Sequence, residues 1–478
     1  MTAWETVIGL EVHVQPTTRS KMFCGCANSF GDRPNTNVCP TCLGLPGALP
    51  VPNAEAVRLG VVGALALGCT VHPRSVFARK NYFYPDLPKG YQVSQYEQPL
   101  ATGGAVRCES PERGPIEVSI TRLHLEEDAG KSLHDRIPGA TAVDLNRAGT
   151  PLCEIVSGPD LRSPPEARAY LVALRQLLVY AGVSDCSMEK GTLRVDANLS
   201  VRPSGSETFG TKTEIKNLNS FAYVERALEA EHARQVAILE SGGAVEQVTL
   251  LFNAGSGDLR VARAKEESHD YRYFPDPDLP PLDLAPAWIE AQRASMPELP
   301  AARRARYAER YALSAYDIGV LTGERETGDY FEAVVEAGAE PKSAANWVMG
   351  EALGSWNEVG RFPVGPSRLA ELIGLVSGGV VSRQAARKVY GELVDRDGSA
   401  QQVAERLGLL QVGDEGALAG WVDEVLAAHP GEVERFRGGE AKLLGFFTGQ
   451  VMKASKGKAD PKKVQPLLQS RLAASGKG

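Results

Sequence analysis

The sequence lacks several features that would assign a protein of this size at once. Its 478 residues hold no apolar run near the roughly 20 that a membrane-spanning helix needs. There is no Gly-x-x-x-x-Gly-Lys-Ser/Thr phosphate loop, and Gly255-Ser256-Gly257 is not followed by the third glycine of a dinucleotide fingerprint. No Ser-His-Asp arrangement is recognisable, and the net charge of -7 excludes a protein that binds nucleic acid through its overall charge. Residues 1–15 have no signal-peptide character, so we expect a cytoplasmic protein.

Cysteine is scarce, and half of it is concentrated in one short stretch. Cys24-Gly25-Cys26 and Cys39-Pro40-Thr41-Cys42 are two close pairs separated by twelve residues. A tetrahedral zinc ion needs four such thiolates, whereas a redox-active Cys-x-x-Cys needs one pair. The alternatives of a redox pair or of unliganded thiols stay open, but the spacing favours a structural zinc site. Four further cysteines are scattered, and we expect them to be ordinary thiols: Cys69, Cys108, Cys153 and Cys186.

Residues 120–131 combine strand-like alternation with an unusual density of carboxylates and imidazole. Alternation would place five residues on one side of a strand: Ile120, Arg122, His124, Glu126 and Asp128. The other side would carry Thr121, Leu123, Leu125 and Glu127. This pattern predicts a half-buried strand with a polar front.

Three other stretches repeat the pattern, around Glu11 and His13, around Asp196, and around Glu214. We therefore predict one sheet with an apolar back and a polar front. The front would collect seven candidate residues: Glu11, His13, His124, Glu126, Asp128, Asp196 and Glu214. Hard oxygen ligands with an imidazole suit Mg²⁺ or Mn²⁺, which serve phosphoryl transfer. The alternative is a merely solvated sheet face, and the pattern does not name a phosphoryl acceptor.

A basic and aromatic segment, residues 79–92, contains two prolines and a glycine. It suits a rigid loop that presents cations and tyrosines to a phosphate or a base. Its candidates are Lys80, Lys89, Tyr82 and Tyr91. A packed aromatic turn is an equal alternative on spacing alone.

Five prolines between residues 275 and 286 indicate a linker or rigid domain edge, after which the pattern is almost wholly helical. We predict an α+β protein, with a mainly antiparallel sheet domain over 1–293, a helical domain over 294–407 and a tail domain over 408–478. Residues 453–478 carry a net charge of +6. Their lysines suit a phosphate backbone, although a solvated tail is an equal alternative: Lys453, Lys456, Lys458, Lys462 and Lys463.

Several motifs together resemble the B subunit of the bacterial tRNA-dependent amidotransferase GatCAB. They are residues 8–15, 21–24, 38–47, 79–91, 123–131 and 270–275. The resemblance covers nearly the whole chain and is densest before residue 280. Cys153 and Asp460 depart from the family pattern, which has an aliphatic residue and an asparagine there.

The resemblance implies a fold and an activity. The fold would be a cradle related to the glutamine-synthetase catalytic sheet, then a helical domain and a YqeY-like tail that holds tRNA. The B subunit would use ATP and Mg²⁺ to phosphorylate the side-chain carboxylate of Glu-tRNA(Gln), Asp-tRNA(Asn) or both. Ammonia from the glutaminase A subunit would reach it through a channel, and a small C subunit would hold the heterotrimer together.

The resemblance also implies residue roles. The residues Glu11, His13, Glu126 and Glu214 would surround Mg²⁺ and nucleotide, with Asp196 beside them. Lys80, Lys89, Tyr82 and Tyr91 would bind ATP or substrate, and Cys24, Cys26, Cys39 and Cys42 would bind zinc. Two other functions compete with this one: a non-catalytic tRNA-binding module and an amide ligase for small molecules. The basic tail argues against the latter.

Overall fold

The structure is a computed structural model that describes residues 3–264, 271–411, 415–455 and 457–474. Its strands are β1 (Trp4–Val14), β2 (Thr70–Val71), β3 (Arg74–Ser75), β4 (Ala78–Asn81), β5 (Tyr91–Ser94), β6 (Ala101–Thr102), β7 (Ala105–Ser110), β8 (Gly114–Glu127), β9 (Lys131–Ile137), β10 (Ala140–Asp144), β11 (Pro151–Ser157), β12 (Leu193–Pro203), β13 (Thr213–Leu218), β14 (Val248–Phe252), β15 (Leu259–Ala264), β16 (Phe274–Pro275) and β17 (Leu282–Asp283).

The helices of the first part of the chain are α1 (Pro40–Leu43), α2 (Ala54–Ala66), α3 (Pro164–Tyr180), α4 (Phe221–Glu240) and α5 (Pro286–Ser295). The later helices are α6 (Pro300–Tyr311), α7 (Ala315–Leu321), α8 (Arg325–Glu336), α9 (Pro341–Trp347), a π-helical turn (Val348–Ala352), α10 (Leu353–Val359), α11 (Pro366–Ser377), α12 (Arg383–Asp395), α13 (Ala400–Arg406), α14 (Glu415–Ala428), α15 (Pro430–Arg437), α16 (Leu443–Ala454) and α17 (Pro461–Ala474). No helix in the described ranges is both long and apolar enough to cross a membrane.

A ten-stranded sheet organises the first of two compact units, Met1–Pro300. Its strand order is β15-β14-β13-β12-β1-β11-β8-β6-β2, with β7 paired to β8. Every pairing in it is antiparallel except that of β13 with β14. The predicted α+β class with a mainly antiparallel sheet is confirmed.

The apolar back of the sheet packs against helices, because its strands alternate. In β1, Ile8, Leu10, Val12 and Val14 are buried in the same core as residues of α2, α3 and α4. Ser163 begins α3 as its N-cap, accepting a hydrogen bond from the Glu166 N–H, and Pro164 occupies the first turn. Ser220 caps α4 in the same way, accepting a hydrogen bond from the Tyr223 N–H.

The predicted side of Ile120 is wrong. Ile120 is buried in the apolar core together with Leu123 and Leu125. Along β11, Val156 lies opposite Arg122 but the next residue, Ser157, lies opposite Ile120. One extra residue on β8 therefore forms a bulge, which moves the preceding residues to the other face.

The second compact unit, Ala301–Gly478, is helical in its described residues and contains two separate apolar clusters. The domain boundaries at 293 and 407 remain predictions. The proline-rich stretch 275–286, predicted as a linker or rigid domain edge, ends where α5 begins. Pro286 and Pro430 each occupy the first turn of their helix, where no backbone N–H is needed.

Candidate functional site

The polar front of the sheet runs across five neighbouring strands, β13, β12, β1, β11 and β8. In the antiparallel register, Glu11 of β1 lies opposite Asp196 of β12, and His13 lies opposite Glu154 of β11. Glu154 in turn lies opposite His124 of β8. Opposed residues share a face of the sheet. Side chains far apart in sequence thus meet in one row.

Four of these side chains form a compact group, which we call the His–Glu cluster: His13, His124, Glu126 and Glu154. Glu154 Oε2 lies 3.5 Å from His13 Nε2 and 3.2 Å from His124 Nε2. Glu126 Oε1 lies 3.5 Å from His13 Nε2. One ligand atom each from His13, Glu126 and Glu154 fit within 4.8 Å of one another. Two carboxylates and an imidazole so arranged are a donor set that suits Mg²⁺ or Mn²⁺.

The charges of the cluster balance one another. Burial alone would lower the pKa of His13, but its hydrogen bond to Glu154 and the nearby carboxylates raise it to about 9. Burial would raise the pKa of Glu154, but the two histidines hold it well below its ordinary value. The positive charge of the imidazoles therefore balances the carboxylates. A bound metal ion would supply that positive charge instead. Among the described residues, the buried His124 Nδ1 has no hydrogen-bond partner.

The remaining predicted magnesium ligands lie in a second polar group, next to the His–Glu cluster. Lys216 Nζ lies 2.5 Å from Asp196 Oδ2 and 3.0 Å from Glu214 Oε1. The Asn198 amide donates a hydrogen bond to Glu11 Oε1 at 3.1 Å. Burial, followed by the charges of Glu154, Glu214 and Asp196, raises the pKa of Glu11. The structure thus divides the predicted ligands, with His13 and Glu126 in one group and Glu11 and Glu214 in the other.

Glu154 was missed by the sequence analysis, and Asp128 is paired with arginines on the polar front rather than with the histidines. Glu154 is a single carboxylate in β11, whose other residues are mainly apolar and buried. A single carboxylate among apolar residues was the sequence signal that could have identified Glu154. Asp128 Oδ2 instead accepts from Arg194 Nη2 at 2.7 Å and lies 3.4 Å from Arg147 Nε. Its charge is therefore neutralised by two arginines.

Lys80 and Tyr82 lie near the His–Glu cluster. Burial alone would lower the pKa of Lys80, but negative charges, Glu126 foremost, raise it. Lys80 Nζ lies 4.8 Å from the ring centroid of Tyr271 and 6.0 Å from that of Tyr82. Burial, then the charge of Glu126, raises the pKa of Tyr82. The Lys80 ammonium is thus packed between two tyrosine rings and lies near the Glu126 carboxylate.

Lys89 and Tyr91 are engaged in a neighbouring network. Lys89 forms an ion pair with the buried Glu127, which also accepts a hydrogen bond from the Val93 N–H at 3.0 Å. The Arg79 guanidinium carbon lies 4.2 Å from the ring centroid of Tyr91. Contacts between Tyr91 and the His–Glu cluster are not seen in the described residues.

The four early cysteines form a second candidate metal centre, which we call the cysteine cluster. Cys42 Sγ lies 3.4 Å from Cys24 Sγ, 3.7 Å from Cys39 Sγ and 3.8 Å from Cys26 Sγ. A hydrogen bond from Cys24, with help from the charge of Lys21, lowers the pKa of Cys42 to about 4. Four converging thiols fit a tetrahedral zinc ion.

A buried lysine stands behind the cysteine cluster. Lys21 is fully buried, and its Nζ lies 3.5 Å from Cys42 Sγ. The same ammonium donates to the carbonyl oxygens of Asn37 at 2.6 Å and Leu145 at 3.4 Å. It thereby offsets the negative charge that four thiolates would place there.

The basic residues of the tail are exposed where they are described. Lys453 lies in the last turn of α16, Lys458 in the following loop, and Lys462 and Lys463 in the first turn of α17. Lys456 lies outside the described residues. Asp460 accepts a hydrogen bond from the Lys462 N–H at 2.9 Å, as a helix-capping carboxylate does.

Comparisons with known proteins agree along the chain. Residues 6–290 match the family model described as the GatB/GatE catalytic domain, and residues 329–472 match one described as the GatB domain. Similar proteins include one from Geobacter sulfurreducens, 52% identical over 477 residues, which covers 98% of this chain and 99% of the relative. One from Moorella thermoacetica is 53% identical over 475 residues, covering 98% and 100%. Both relatives are named as the B subunit of an aspartyl/glutamyl-tRNA(Asn/Gln) amidotransferase.

Proposed function

Because the chain belongs to the GatB family of amidotransferase B subunits, we propose that it activates the amino acid on a mischarged tRNA with ATP and Mg²⁺. The substrate is Glu-tRNA(Gln), Asp-tRNA(Asn) or both. The observation that supports this proposal most is the His–Glu cluster, a buried set of hard ligands on the open face of the sheet. The expected cytoplasmic location is part of the proposal, since charged tRNA is used in translation.

The reaction has two steps. In the first, a side-chain carboxylate oxygen of the aminoacyl group attacks the γ-phosphorus of ATP, the bond to the ADP oxygen breaks, and an acyl phosphate forms. In the second, ammonia attacks the acyl carbon, phosphate leaves, and the side chain becomes an amide. The A subunit releases the ammonia from glutamine and delivers it through a channel, and the C subunit holds the heterotrimer together.

The first step brings two anions together, so cations must offset their repulsion. His13, Glu126 and Glu154 would hold Mg²⁺, with Glu11 and Glu214 from the second polar group. When bound, the ion would neutralise phosphate charge during transfer. Asp196 holds Lys216 at the edge of this set. Lys80, enclosed by tyrosines beside Glu126, attracts the carboxylate of the aminoacyl group.

Other residues of the chain would bind ATP, substrate or tRNA, or would support the loops between β1 and α2. Lys89, Tyr82 and Tyr91, which lie in or next to β4 and β5 beside Lys80, would bind ATP or substrate. The cysteine cluster holds a structural zinc ion that fixes the loops between β1 and α2. The exposed lysines of the tail, Lys453, Lys458, Lys462 and Lys463 with Lys456, contact the tRNA backbone.

The decisive experiment measures ADP release by the heterotrimer of A, B and C subunits. We expect release that requires Mg²⁺ and a mischarged tRNA, with Glu-tRNA(Gln) and Asp-tRNA(Asn) assayed separately. Correctly charged Gln-tRNA(Gln) is the matched control, because it lacks the carboxylate. If mischarged tRNA binds but no ADP is released, the chain is a non-catalytic tRNA-binding module and the proposal is wrong.

A further inference from the structure

Three polar side chains lie buried on the otherwise apolar back of the sheet, between α4 and the strands β12 and β13. Glu231 and Gln235 of α4 and Thr213 of β13 are each 0% exposed. Glu231 Oε1 accepts hydrogen bonds from Thr213 Oγ1 at 2.7 Å and from Gln235 Nε2 at 2.8 Å. Gln235 Nε2 also donates to the carbonyl oxygen of Leu199 on β12 at 3.2 Å. We call Glu231, Gln235 and Thr213 the α4–β13 network.

The network keeps a carboxylate in the core, which costs free energy. Its charge is paired, since Arg234 Nε lies 2.7 Å from Glu231 Oε2, but the buried Gln235 Oε1 has no hydrogen-bond partner among the described residues. Replacing a buried ion pair by apolar residues often leaves stability unchanged or raises it. Apolar contacts already hold α4 to the sheet at Val224 and Leu228. The network therefore suits a role in fixing one alignment of the chain, as buried polar groups do in some proteins.

The strand that the network contacts, β13, has a short run of regular pairing. Thr213, Glu214 and Ile215 pair with β12 before the register shifts. One extra residue then forms a bulge, at which Asn217 has a φ of 68°. Burial of apolar side chains on one face normally specifies the register of a strand. Before the bulge, the buried face of β13 consists of Ile215, which is apolar, and Thr213, which the network holds instead.

The register of β13 decides where Glu214 and Lys216 lie. Both alternate with the buried Thr213 and Ile215, so they face the polar front, where Glu214 Oε2 accepts from Thr249 Oγ1 at 2.9 Å. A slip by one residue would turn every side chain of the strand to the other face. It would move the Glu214 carboxylate from the front to the side of α4. The Thr213 hydroxyl thus fixes the neighbouring Glu214 from behind the sheet.

We propose that the α4–β13 network positions the metal site: Glu231, through the Thr213 hydroxyl, holds β13 in the register that places Glu214 to help bind Mg²⁺. The inference rests on the proposed function, in which Glu214 contributes to holding the ion. Glu231 and Thr213 lie on the back of the sheet and are positioning residues. Removing a partner that orients a metal ligand lowers metal affinity about 10- to 100-fold. Because Glu231 acts through a neighbouring residue, we expect the lower end of this range.

The test measures the Mg²⁺ dependence of ADP release by the heterotrimer with mischarged tRNA. Thr213→Val keeps the branched shape and removes the hydroxyl, so the Mg²⁺ concentration for half-maximal release should rise about 10-fold. The rate at saturating Mg²⁺ should stay close to that of wild type. Thr213→Ser keeps the hydroxyl and should restore the wild-type dependence. Glu231→Gln keeps an acceptor but removes the charge, so its rise should be smaller than that of Thr213→Val.

The chain offers a matched control on another strand of the same sheet. Ser110 Oγ on β7 donates at 2.8 Å to Oε1 of Glu166, a buried carboxylate on α3. This is again a strand hydroxyl bonded to a helix carboxylate, but none of the candidate metal ligands named above lies on β7. Ser110→Ala should lower the melting temperature, as Thr213→Val does, without changing the Mg²⁺ dependence. A merely structural role predicts an unchanged Mg²⁺ dependence in both variants.

Binding of Mn²⁺ alone gives a second readout, which needs no turnover. Loss of the electron paramagnetic resonance signal of the free ion measures its affinity for the heterotrimer. Thr213→Val should bind Mn²⁺ more weakly than wild type, whereas Ser110→Ala should bind it equally well.

The outcomes distinguish this inference from the proposed function. A wild-type Mg²⁺ requirement or an unchanged Mn²⁺ affinity in folded Thr213→Val would overturn the role of the network and leave the function intact. If Thr213→Val does not fold, a wild-type Mg²⁺ requirement in Glu231→Gln would overturn it. A wild-type heterotrimer that releases no ADP, or releases it without Mg²⁺, would instead overturn the proposed function.

Discussion

The cysteine cluster and the His–Glu cluster both gather metal-binding side chains, but the chain builds them in opposite ways. The cysteines lie within residues 24–42, in a short segment outside the sheet that ends in α1. His13, Glu126 and Glu154 come from three strands that are far apart in the sequence. The first centre can form when a short segment folds around an ion. The second exists only after the sheet has assembled in the correct register.

The two centres also differ in what surrounds them. Behind the cysteines lies one buried cation, Lys21, bonded to carbonyl oxygens that belong to two loops. A zinc ion held there by four thiolates would have no open ligand position and would contribute to folding. The His–Glu cluster borders a polar front that continues to Glu11 and Asp196. The local position of the cysteine cluster therefore suits the proposed structural role, while the position of the His–Glu cluster on a shared polar face suits the proposed chemistry.

The largest expected effect is loss of zinc from the cysteine cluster. Wild-type protein purified without chelator should hold about one zinc ion per chain, and Cys39→Ser should hold none after dialysis. Since zinc binding contributes folding free energy, the variant should also melt at a lower temperature. Elemental analysis and a thermal melt measure both. Cys108→Ser, at a half-buried thiol on β7, is the control. Equal zinc contents in the two variants would contradict a role for Cys39.

The corresponding substitution in the His–Glu cluster is Glu126→Gln, which keeps the shape of the side chain and removes its charge. We expect ADP release with mischarged tRNA to fall about 10²-fold or more, as when a preorganised electrostatic contact is removed. Glu126 accepts from Ser94 Oγ, a bond that the amide oxygen of glutamine can also accept, but it also lies beside His13, so the variant should stay folded and melt somewhat earlier. The control is Glu117→Gln on the same strand, at an exposed ion pair with Arg107. Near-normal ADP release in a folded Glu126→Gln enzyme would place the active site elsewhere.

A smaller effect should follow from Lys21→Met, which keeps the length of the side chain and removes the ammonium behind Cys42. Zinc affinity should fall about 10- to 100-fold, the usual effect of removing a partner of a metal ligand. Competition with a chromogenic chelator measures it. Lys190→Met, at an exposed ion pair with Asp185, is the control. If the variant melts earlier but binds zinc as tightly as wild type, Lys21 supports only the packing of the loops.

The smallest effect per residue is expected where charge is exposed, as in the tail. Replacing Lys453, Lys458 and Lys462 together by glutamine should reduce the salt dependence of tRNA binding. The slope of log affinity against log salt should change by roughly two to three units, at about 0.7 to 0.9 per phosphate contact. The control replaces three arginines at exposed ion pairs of the same helical unit: Arg387, Arg396 and Arg406. An unchanged slope would show that the tail lysines are only solvated.

Much of the fold followed from local patterns in the sequence. Alternation marked the buried side of β1. The errors have identifiable physical causes. Prolines at 286 and 430 were compatible with helix starts, and the bulge beside Arg122 reversed the side on which Ile120 lies. A bulge depends on the pairing of two strands, which periodicity in one strand does not contain.

The sequence by itself determined the cysteine cluster, because its ligands are close along the chain and spacing alone brings them together. It also determined that polar residues share one face of several strands, since side chains alternate in every strand. Only the tertiary structure decided which polar residues meet. It placed Glu154 between two histidines and paired Asp128 with arginines. The physical reason is that strand order and register set these distances, and both depend on how distant segments pack.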